Sequence, residues 1–330
     1  MSRLFSPAAL TLAALALALM GCAAWVDRRA TAREAEWEAG WPPEGRIVTV
    51  EGRRVHLVEA GRARGTAPDV VLIHGANGSL RDFTFDLVGR LAPEFRVIAV
   101  DRPGHGWSDS WGAADTDPRA QARILRAAVE QLGIDRPVVV GHSYGGAVAM
   151  GWALEAEPET GAVVLLAGAT MPWEGRVSGL YDLLDSPLGP LARGWIAGMV
   201  SEDTVRGVTR RIFAPDRMPP GYVRHFGPGM SIRRGAQAAN ARQVNNLKRF
   251  VTEMAQAYPR LTLPIEALHG TADTIVGLRV HSAPLAALVP SVALTVLDGV
   301  GHMPHHARPD DTVAAIRRAA ARADLRAASR

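Results

Sequence analysis

Between residues 47 and 170, short apolar runs alternate with amphipathic stretches. Residues 47–50 and 54–59 alternate apolar and polar positions around Glu51-Gly52, the pattern of a β-hairpin. Residues 70–73, 97–100, 137–140 and 162–166 are continuous aliphatic and β-branched runs, which suit strands buried on both faces of a sheet. Between them, Phe83, Leu87 and Leu91 fall on one face of a helix expected over residues 82–91. Asp117-Pro118 make an N-cap and first-turn pair, and Ile124, Leu125, Ala128, Val129 and Leu132 form an apolar stripe behind it. Small apolar residues from 147 to 154 suit a tightly packed helix.

After Gly168 the alternation stops. From about residue 171 to 257 there is no clean strand, only short helix-like pieces broken by Pro172, Pro187, Pro190, Pro215, Pro219-Pro220 and Pro228. The rhythm returns with a strand at 265–268, a helix near 278–288, a strand at 292–297 and a last helix from about Pro309. Strands alternating with helices predict a mostly parallel α/β sheet covered on both faces, with a helical cap inserted after the sixth strand.

The first 46 residues follow another pattern. Arg3 precedes thirteen residues, 8–20, that are apolar except Thr11. That is short of the ~20 residues of a transmembrane helix but fits the core of a signal peptide over residues 1–21. Leu19-Met20-Gly21-Cys22 then resembles a bacterial lipobox, in which the cysteine thiol is lipidated and the chain is cleaved before it. The alternative is an ordinary signal peptide or an uncleaved anchor in which Cys22 is incidental. Cys22 is the only cysteine of the chain, so the fold holds without an internal disulfide. Residues 25–46 are charged, with Pro42-Pro43 near the end, so that 22–46 reads as a lipidated tether or surface helix. Trp37 and Trp41 are spaced i, i+4, for docking on the domain or at a membrane interface. These features place the protein on the bacterial cell envelope, exported and lipid-anchored.

Composition narrows the function classes. With 48% hydrophobic and 21% charged residues the chain is globular rather than disordered. Of 37 basic residues only Lys248 is a lysine, and the arginines are scattered without a block of five. A nucleic-acid surface is therefore excluded as the expectation.

The candidate chemistry centres on Gly141-His142-Ser143-Tyr144-Gly145, a G-x-S-x-G pattern set between a strand and a helix. A serine on so sharp a turn needs strained backbone angles and no bulk two residues to either side, which glycine supplies. With it go His74-Gly75-Ala76-Asn77-Gly78-Ser79 after one strand and Asp101-Arg102-Pro103-Gly104-His105-Gly106-Trp107-Ser108 after the next. Gly270-Thr271-Ala272-Asp273 and Gly299-Val300-Gly301-His302 follow the last two strands. Together these stretches resemble the α/β-hydrolase superfamily, from residue 47 to the C-terminal helix. The resemblance implies a mostly parallel eight-stranded sheet with core segments at 47–170 and 258–330 and a cap at 171–257. It also implies a serine-dependent enzyme without cofactor or metal.

The chemistry agrees. A serine hydroxyl needs an adjacent base, histidine has a suitable pKa, and a carboxylate must orient the histidine. Asp273 and His302 lie just past strands whose carboxyl ends gather at one sheet edge, so Ser143, Asp273 and His302 should meet there. Tyr144 N–H supplies one oxyanion donor and, by resemblance, Ala76 N–H the other. Among rivals, His74, His105 and His269 read as structural. His142 points away from the nucleophile by strand alternation. His305 and His306 read as surface or helix-entry residues without an acidic partner at metal spacing. No carboxylate follows the sixth strand at Gly168-Ala169-Thr170, and Asp298 reads as a solvated turn former.

Haloalkane dehalogenases and epoxide hydrolases of this fold use aspartate as nucleophile, so Ser143 argues for an acyl-enzyme. The cap carries Trp173 and Tyr181, expected to contact substrate, among many apolar residues; this favours an apolar acyl or alcohol group. Arg206, Arg210 and Arg211 form either a solvated face or an attractor for a carboxylate. The expected function is a carboxylic-ester hydrolase acting on a small to medium apolar substrate, with no required protein partner. The alternatives are a carbon–carbon bond hydrolase or cofactor-free perhydrolase of the same fold, or a non-catalytic ligand-binding member.

Overall fold

A computed structural model describes residues 7–324. The chain begins with α1 (Pro7–Gly40), then forms the hairpin β1 (Arg46–Val50) and β2 (Arg53–Gly61). Val50 pairs with Arg53, so Glu51 and Gly52 are a two-residue loop, with φ of 50° and 75°. Two left-handed residues in succession match the right-handed strand twist, and glycine takes the second without strain.

β3 (Asp69–Ile73), β4 (Arg96–Val100), β5 (Val138–His142), β6 (Ala162–Leu166), β7 (Ile265–Gly270) and β8 (Val292–Leu297) complete an eight-stranded sheet of order β1-β2-β4-β3-β5-β6-β7-β8. The hairpin and the β2–β4 pair are antiparallel and every other pair is parallel. Strands β3 to β6 are buried along their whole length, and period-two alternation sends neighbouring residues to opposite faces. On one face Val71, Val139 and Leu165 pack with α4 (Pro118–Glu130) and α5 (Tyr144–Ala156), through Leu125, Val129, Val148 and Trp152. On the other, Val70, Val140 and Val164 pack with α3 (Leu87–Leu91) and α13 (Pro309–Arg322), through Leu87, Leu91, Val313 and Ile316. Each such side chain contributes about 1.5–3 kcal/mol, and burial on both faces fixes the strands whose carboxyl ends share one edge.

Between β6 and β7 the described chain has no strand. It runs through α6 (Gly179–Leu184), α7 (Gly189–Met199), α8 (Glu202–Phe213), α9 (Tyr222–Phe226) and α10 (Arg234–Ala255). The remaining helices are α2 (Arg81–Thr84), α11 (Ser282–Leu288) and α12 (Pro304–Ala307). Asp117 caps α4 as expected, its carboxylate accepting from Arg119 N–H. The helix expected over 82–91 is instead two, α2 and α3, broken at Asp86, whose φ of −148° is not helical. Phe83, Leu87 and Leu91 still reach the core, and the buried Asp82 of α2 meets partners far along the chain.

α1 is long and apolar enough, by length and composition, to cross a membrane. Leu10, Leu12, Leu15, Leu17, Leu19 and Met20 all stand exposed, whereas Val26, Ala30 and Trp37 on its second half are buried. Arg29 Nε and Arg33 Nη1 donate to the carbonyls of Gly198 and Val200 at 2.8 Å each, and Arg234 pairs with Glu34 at 2.7 Å. Trp41 Nε1 donates to Arg224 O at 2.9 Å, and Trp107 Nε1 to Trp41 O at the same distance. Thus both tryptophans dock on the folded body. The signal-peptide boundary at 21 falls inside a continuous helix, and of the first 21 residues only 7 onward are described.

Candidate active site

Ser143 follows the last residue of β5 and precedes the first of α5, with φ 52° and ψ −118°. That is the left-handed region a β-carbon disfavours, held only because its surroundings enforce it. The glycines explain how. A β-carbon on Gly141 would stand 2.2 Å from Gly145 O, and one on Gly145 2.2 Å from Ile73 O. Strand, turn and helix therefore cross in backbone contact, which only glycine permits. Ser143 N–H donates to Leu166 O at 3.0 Å, and Ser143 O accepts from Gly146 and Ala169. Tyr144 N–H is the first of α5, so helix geometry leaves it without an acceptor inside the helix.

Asp273 stands three residues beyond β7. Its Oδ1 accepts the amides of Ile275 and Val276 at 2.9 and 3.0 Å. Its Oδ2 accepts His302 Nδ1 at 2.8 Å and lies 3.2 Å from His269 Nε2. Burial alone would raise its carboxyl pKa, but the hydrogen bonds from His269 and His302 outweigh it and hold the group below the usual carboxylate range. Donation from Nδ1 leaves the Nε2 lone pair of neutral His302 free to act as a base. The His302 carbonyl accepts from His142 Nε2 at 2.9 Å, so ring and backbone are held separately.

On the opposite side of Ser143 lies the loop after β3. A β-carbon on Gly75 would stand 3.1 Å from Ser143 Cβ and from His142 Nδ1, which measures how closely this loop approaches the turn. Arg102, fully buried, braces it from beneath. Its Nε donates to His74 O at 2.9 Å and its Nη2 to Gly75 O at 3.0 Å. Its Nη1 donates to Gln121 and Gln243, and its guanidinium lies 4.3 Å over the Tyr144 ring. Burial brings Arg102 down to about 10, against the pull of Tyr144, Asp115 and Asp101, so it stays a cation. Asn77 N–H donates to Asn240 Oδ1 at 2.8 Å, tying the loop to α10.

Ser143, His302, Gly75 and Ala76 line one cavity of about 510 Å³. Most of its other walls are aliphatic and aromatic, including Leu180, Leu184, Ile196 and Phe213, with Asp82, Thr204, Thr209, Ser231 and Gln237 adding polar groups. Tyr181 also lines it, with its hydroxyl accepting from Asn77 Nδ2 at 2.9 Å. Trp173 does not line it; its ring stands 5.8 Å from His281 and packs against the core beneath. A second groove, of about 630 Å³, lies between α1 and α8–α9 with Arg33, Arg206 and Arg210 on its walls, and none of Ser143, Asp273 or His302 reaches it.

Several histidines lie elsewhere than the sequence pattern indicates. His142 does not leave the site: it lines the cavity, with its ring 4.9 Å from that of His302. Alternation fails there because the strand ends and the next residue turns left-handed. His305 and His306 are not surface residues without an acid. Their Nε2 atoms meet Asp82 Oδ2 and Oδ1 at 3.1 and 2.8 Å, and Tyr222 hydroxyl donates to Oδ1 at 2.7 Å. Burial would raise the Asp82 carboxyl, but His305 and His306 together hold it well below its ordinary value. Asp82, His142 and His305 are also of metal-ligand type, with ligand atoms within 4.8 Å of one another. The two Asp82 oxygens are already engaged by Tyr222, His305 and His306. The sequence pattern does not reveal this cluster or the role of Arg102, which stands two residues beyond β4. His74 and His105 are buried and structural: His74 Nε2 accepts from Arg102 N–H at 2.9 Å, and His105 Nδ1 meets Pro103 O at 3.1 Å. Asp298 is exposed and accepts from Thr271 Oγ1 at 3.1 Å.

Residues 70–316 match the model of the alpha/beta hydrolase family. A protein of Mycobacterium tuberculosis, described as uncharacterized, is 28% identical over 286 residues, covering 81% of this chain and 78% of that protein. Haloalkane dehalogenase 2 of the same organism is 26% identical over 291 residues, covering 84% and 94%. Among solved structures, a bacterial membrane phospholipase A superposes with a TM-score of 0.67 at 20% identity, covering 96% of this chain and 97% of the other. With a family match over most of its length, and with the eight-stranded sheet that carries that fold, the chain belongs to the alpha/beta hydrolase family.

Proposed function

We propose that this protein is a serine-dependent carboxylic-ester hydrolase working through an acyl-enzyme. The observation that carries the reading is the pairing of His302 Nδ1 with Asp273 at 2.8 Å on the same cavity that exposes Ser143 on its left-handed turn. Ser143 Oγ attacks the ester carbonyl while His302 Nε2 takes its proton. The carbonyl oxygen becomes an oxyanion held by the N–H groups of Ala76 and Tyr144, each such donor being worth about 3 kcal/mol. Asp273 stabilises the imidazolium and fixes its tautomer. The C–O bond to the alcohol then breaks, with the proton passing from His302 to the leaving oxygen. Water, deprotonated by His302, attacks the acyl-serine and releases the acid.

Serine in place of a carboxylate separates this chain from dehalogenation. Displacement of a halide by serine would leave an ether, which water does not cleave under these conditions, whereas an acyl-serine is an ester. The mostly aliphatic cavity walls support an apolar acyl or alcohol group, and Tyr181 is among the residues of the helical cap placed to contact it. We further place the protein on the bacterial cell envelope, held by α1 or by a lipid on the exposed Cys22. Fluorophosphonate labelling, followed by turnover of p-nitrophenyl esters of increasing chain length, tests the catalytic reading.

A further inference from the structure

The large apolar side chains left exposed on the folded body are concentrated in one place. On the sheet domain they are Ile47 on β1, Ile275 and Val280 after β7, Leu288 of α11 and Val296 of β8, a number ordinary for a soluble surface. On α6, α7 and the turn between them stand Leu180, Leu183, Leu188, Leu191 and Trp195, from 42% to 65% exposed. A contiguous apolar patch of this kind marks an interaction surface.

Its position relative to α1 identifies the partner. A β-carbon on Gly198 of α7 would stand 3.0 Å from Val26 O and 3.4 Å from Ala30 N, and Ala30 and Ala197 share one buried cluster. Past α7 the chain continues to Glu202, which shares a groove with Arg33 and Trp37 farther along α1. The two helices therefore run in the same direction, and the start of α7 lies toward the apolar start of α1. Leu191 precedes Gly198 by seven residues, about 10 Å at 1.5 Å per residue. That places it near the level of Gly21 and Cys22, where the exposed run from Leu10 to Met20 ends. Trp25 and Trp195, both more than half exposed, sit just above that level, where indoles favour a membrane–water interface. A bilayer entered by α1, or reached through a lipid on Cys22, meets the α6–α7 face in either case.

The same face borders the reaction cavity. Leu180 is half exposed in the patch and also lines the cavity, with Tyr181, Leu184 and Ile196 from the same helices and Val200 just past α7. We infer that the α6–α7 face is seated on the lipid bilayer, so that the cavity opens onto the membrane and takes the ester-linked acyl chain of a membrane lipid. The substrate part rests on the ester-hydrolase reading; the seating does not. An acyl chain that passes from bilayer to an aliphatic cavity through an aliphatic mouth avoids the ~0.8 kcal/mol per methylene of exposure to water.

The test uses the full chain reconstituted in vesicles of dioleoyl phosphatidylethanolamine and dioleoyl phosphatidylglycerol. Two reactions are followed: release of oleate from the vesicle lipid, and turnover of p-nitrophenyl butyrate added in solution. Leu188→Glu with Leu191→Glu, neither residue lining the cavity, should lower oleate release by about tenfold or more, because charged side chains leave the acyl region. Soluble-ester turnover should stay within about twofold, as for surface changes away from the site. Doxyl-labelled lipid should quench wild-type tryptophan fluorescence more than that of Trp195→Phe. Equal losses of both reactions, or unchanged oleate release in the double variant, overturn the proposal. So does a face covered by a second copy, seen as a smaller oligomer in the double variant with no change in quenching at Trp195. Wild type that turns over the soluble ester but releases no oleate contradicts the bilayer substrate and leaves the ester reading standing. Turnover of neither ester overturns the ester reading and with it the substrate assignment, while quenching at Trp195 still decides the seating.

Discussion

His142, the residue before Ser143, donates its Nε2 proton to the carbonyl oxygen of His302 at 2.9 Å. The turn that carries the proposed nucleophile is thereby tied to the loop that carries the proposed base, 160 residues later in the chain. A net hydrogen bond of this kind is worth ~1 kcal/mol, and leaving the carbonyl unpaired costs more. His142→Ala should lower ester kcat by roughly tenfold or more with KM little changed, since a 1.4 kcal/mol loss is tenfold. His142→Gln, which keeps a donor, should recover much of the loss. A merely space-filling role would be restored as well by His142→Leu, which fills the volume without a donor, and steady-state kinetics of the three variants separate the cases.

The choice of acid is tested by a matched pair. Asp273→Asn should keep the fold but favour the wrong imidazole tautomer, with a loss of ~10⁴ in turnover. Asp298, exposed and bonded to Thr271, should tolerate Asn with little effect. The measurement is kcat for both variants on one activated ester, with thermal melts alongside. A mild effect at Asp273 and a severe one at Asp298 would reverse the assignment.

Buried histidines set the acid limb of stability. Burial above all holds His105 down to about 3 and His281 to about 4, and it also pushes His74 and His142 well below their ordinary value. A depressed histidine leaves the folded state neutral while the unfolded chain takes up a proton, so its contribution is intact above about 6.5 and is lost as pH falls below it. His56 opposes this: its bonds to Asp101 and Glu44 raise it despite burial, so it stabilises on the acid side. Burial lowers His225 and His305 as well, and six against one leave a net loss on acidification steeper than ~1.4 kcal/mol per pH unit, the slope of a single proton. Urea unfolding in detergent at pH 7 and pH 5 should show it, and His105→Gln should flatten the slope by about one proton. Stability that holds or rises toward pH 5 contradicts the sign.

Much of this arrangement is legible in the sequence because it is local. The G-x-S-x-G turn, the hairpin at Glu51-Gly52 and the Asp117 cap each depend on a few neighbouring residues whose backbone demands are specific. The alternation of strands and helices further places Asp273 and His302 at the same sheet edge as Ser143. What escapes the sequence is long-range pairing of polar groups. Asp82 meets His305 and His306 across more than 220 residues, and nothing in the spacing of "HMPHH" reveals a carboxylate on a helix broken at Asp86. Arg102 stands in a stretch that the sequence singles out, but its bonds to the carbonyls of His74 and Gly75 appear only in the folded chain. Trp173 illustrates the converse, an aromatic of the inserted segment whose hydrophobicity serves packing against His281 rather than the cavity.

Anchoring is open to a direct chemical test. If Cys22 is lipidated, wild type should incorporate labelled fatty acid and partition with membranes, and Cys22→Ala should lose the label. Loss of the label with membrane partitioning retained would mean that α1 also holds uncleaved chain in the bilayer. Absence of label in wild type would contradict lipidation.

The central claim is that Ser143 is the nucleophile of an ester hydrolase, and the most direct measurement is covalent labelling with a fluorophosphonate, read by mass spectrometry of the modified peptide. The label should fall on the peptide containing Ser143, abolish p-nitrophenyl ester turnover in proportion to its incorporation, and be absent from a folded Ser143→Ala variant whose turnover is lower by several orders of magnitude. Labelling of another residue, or a Ser143→Ala variant that keeps more than about a tenth of wild-type activity, well above the effect of losing a triad member, would contradict it.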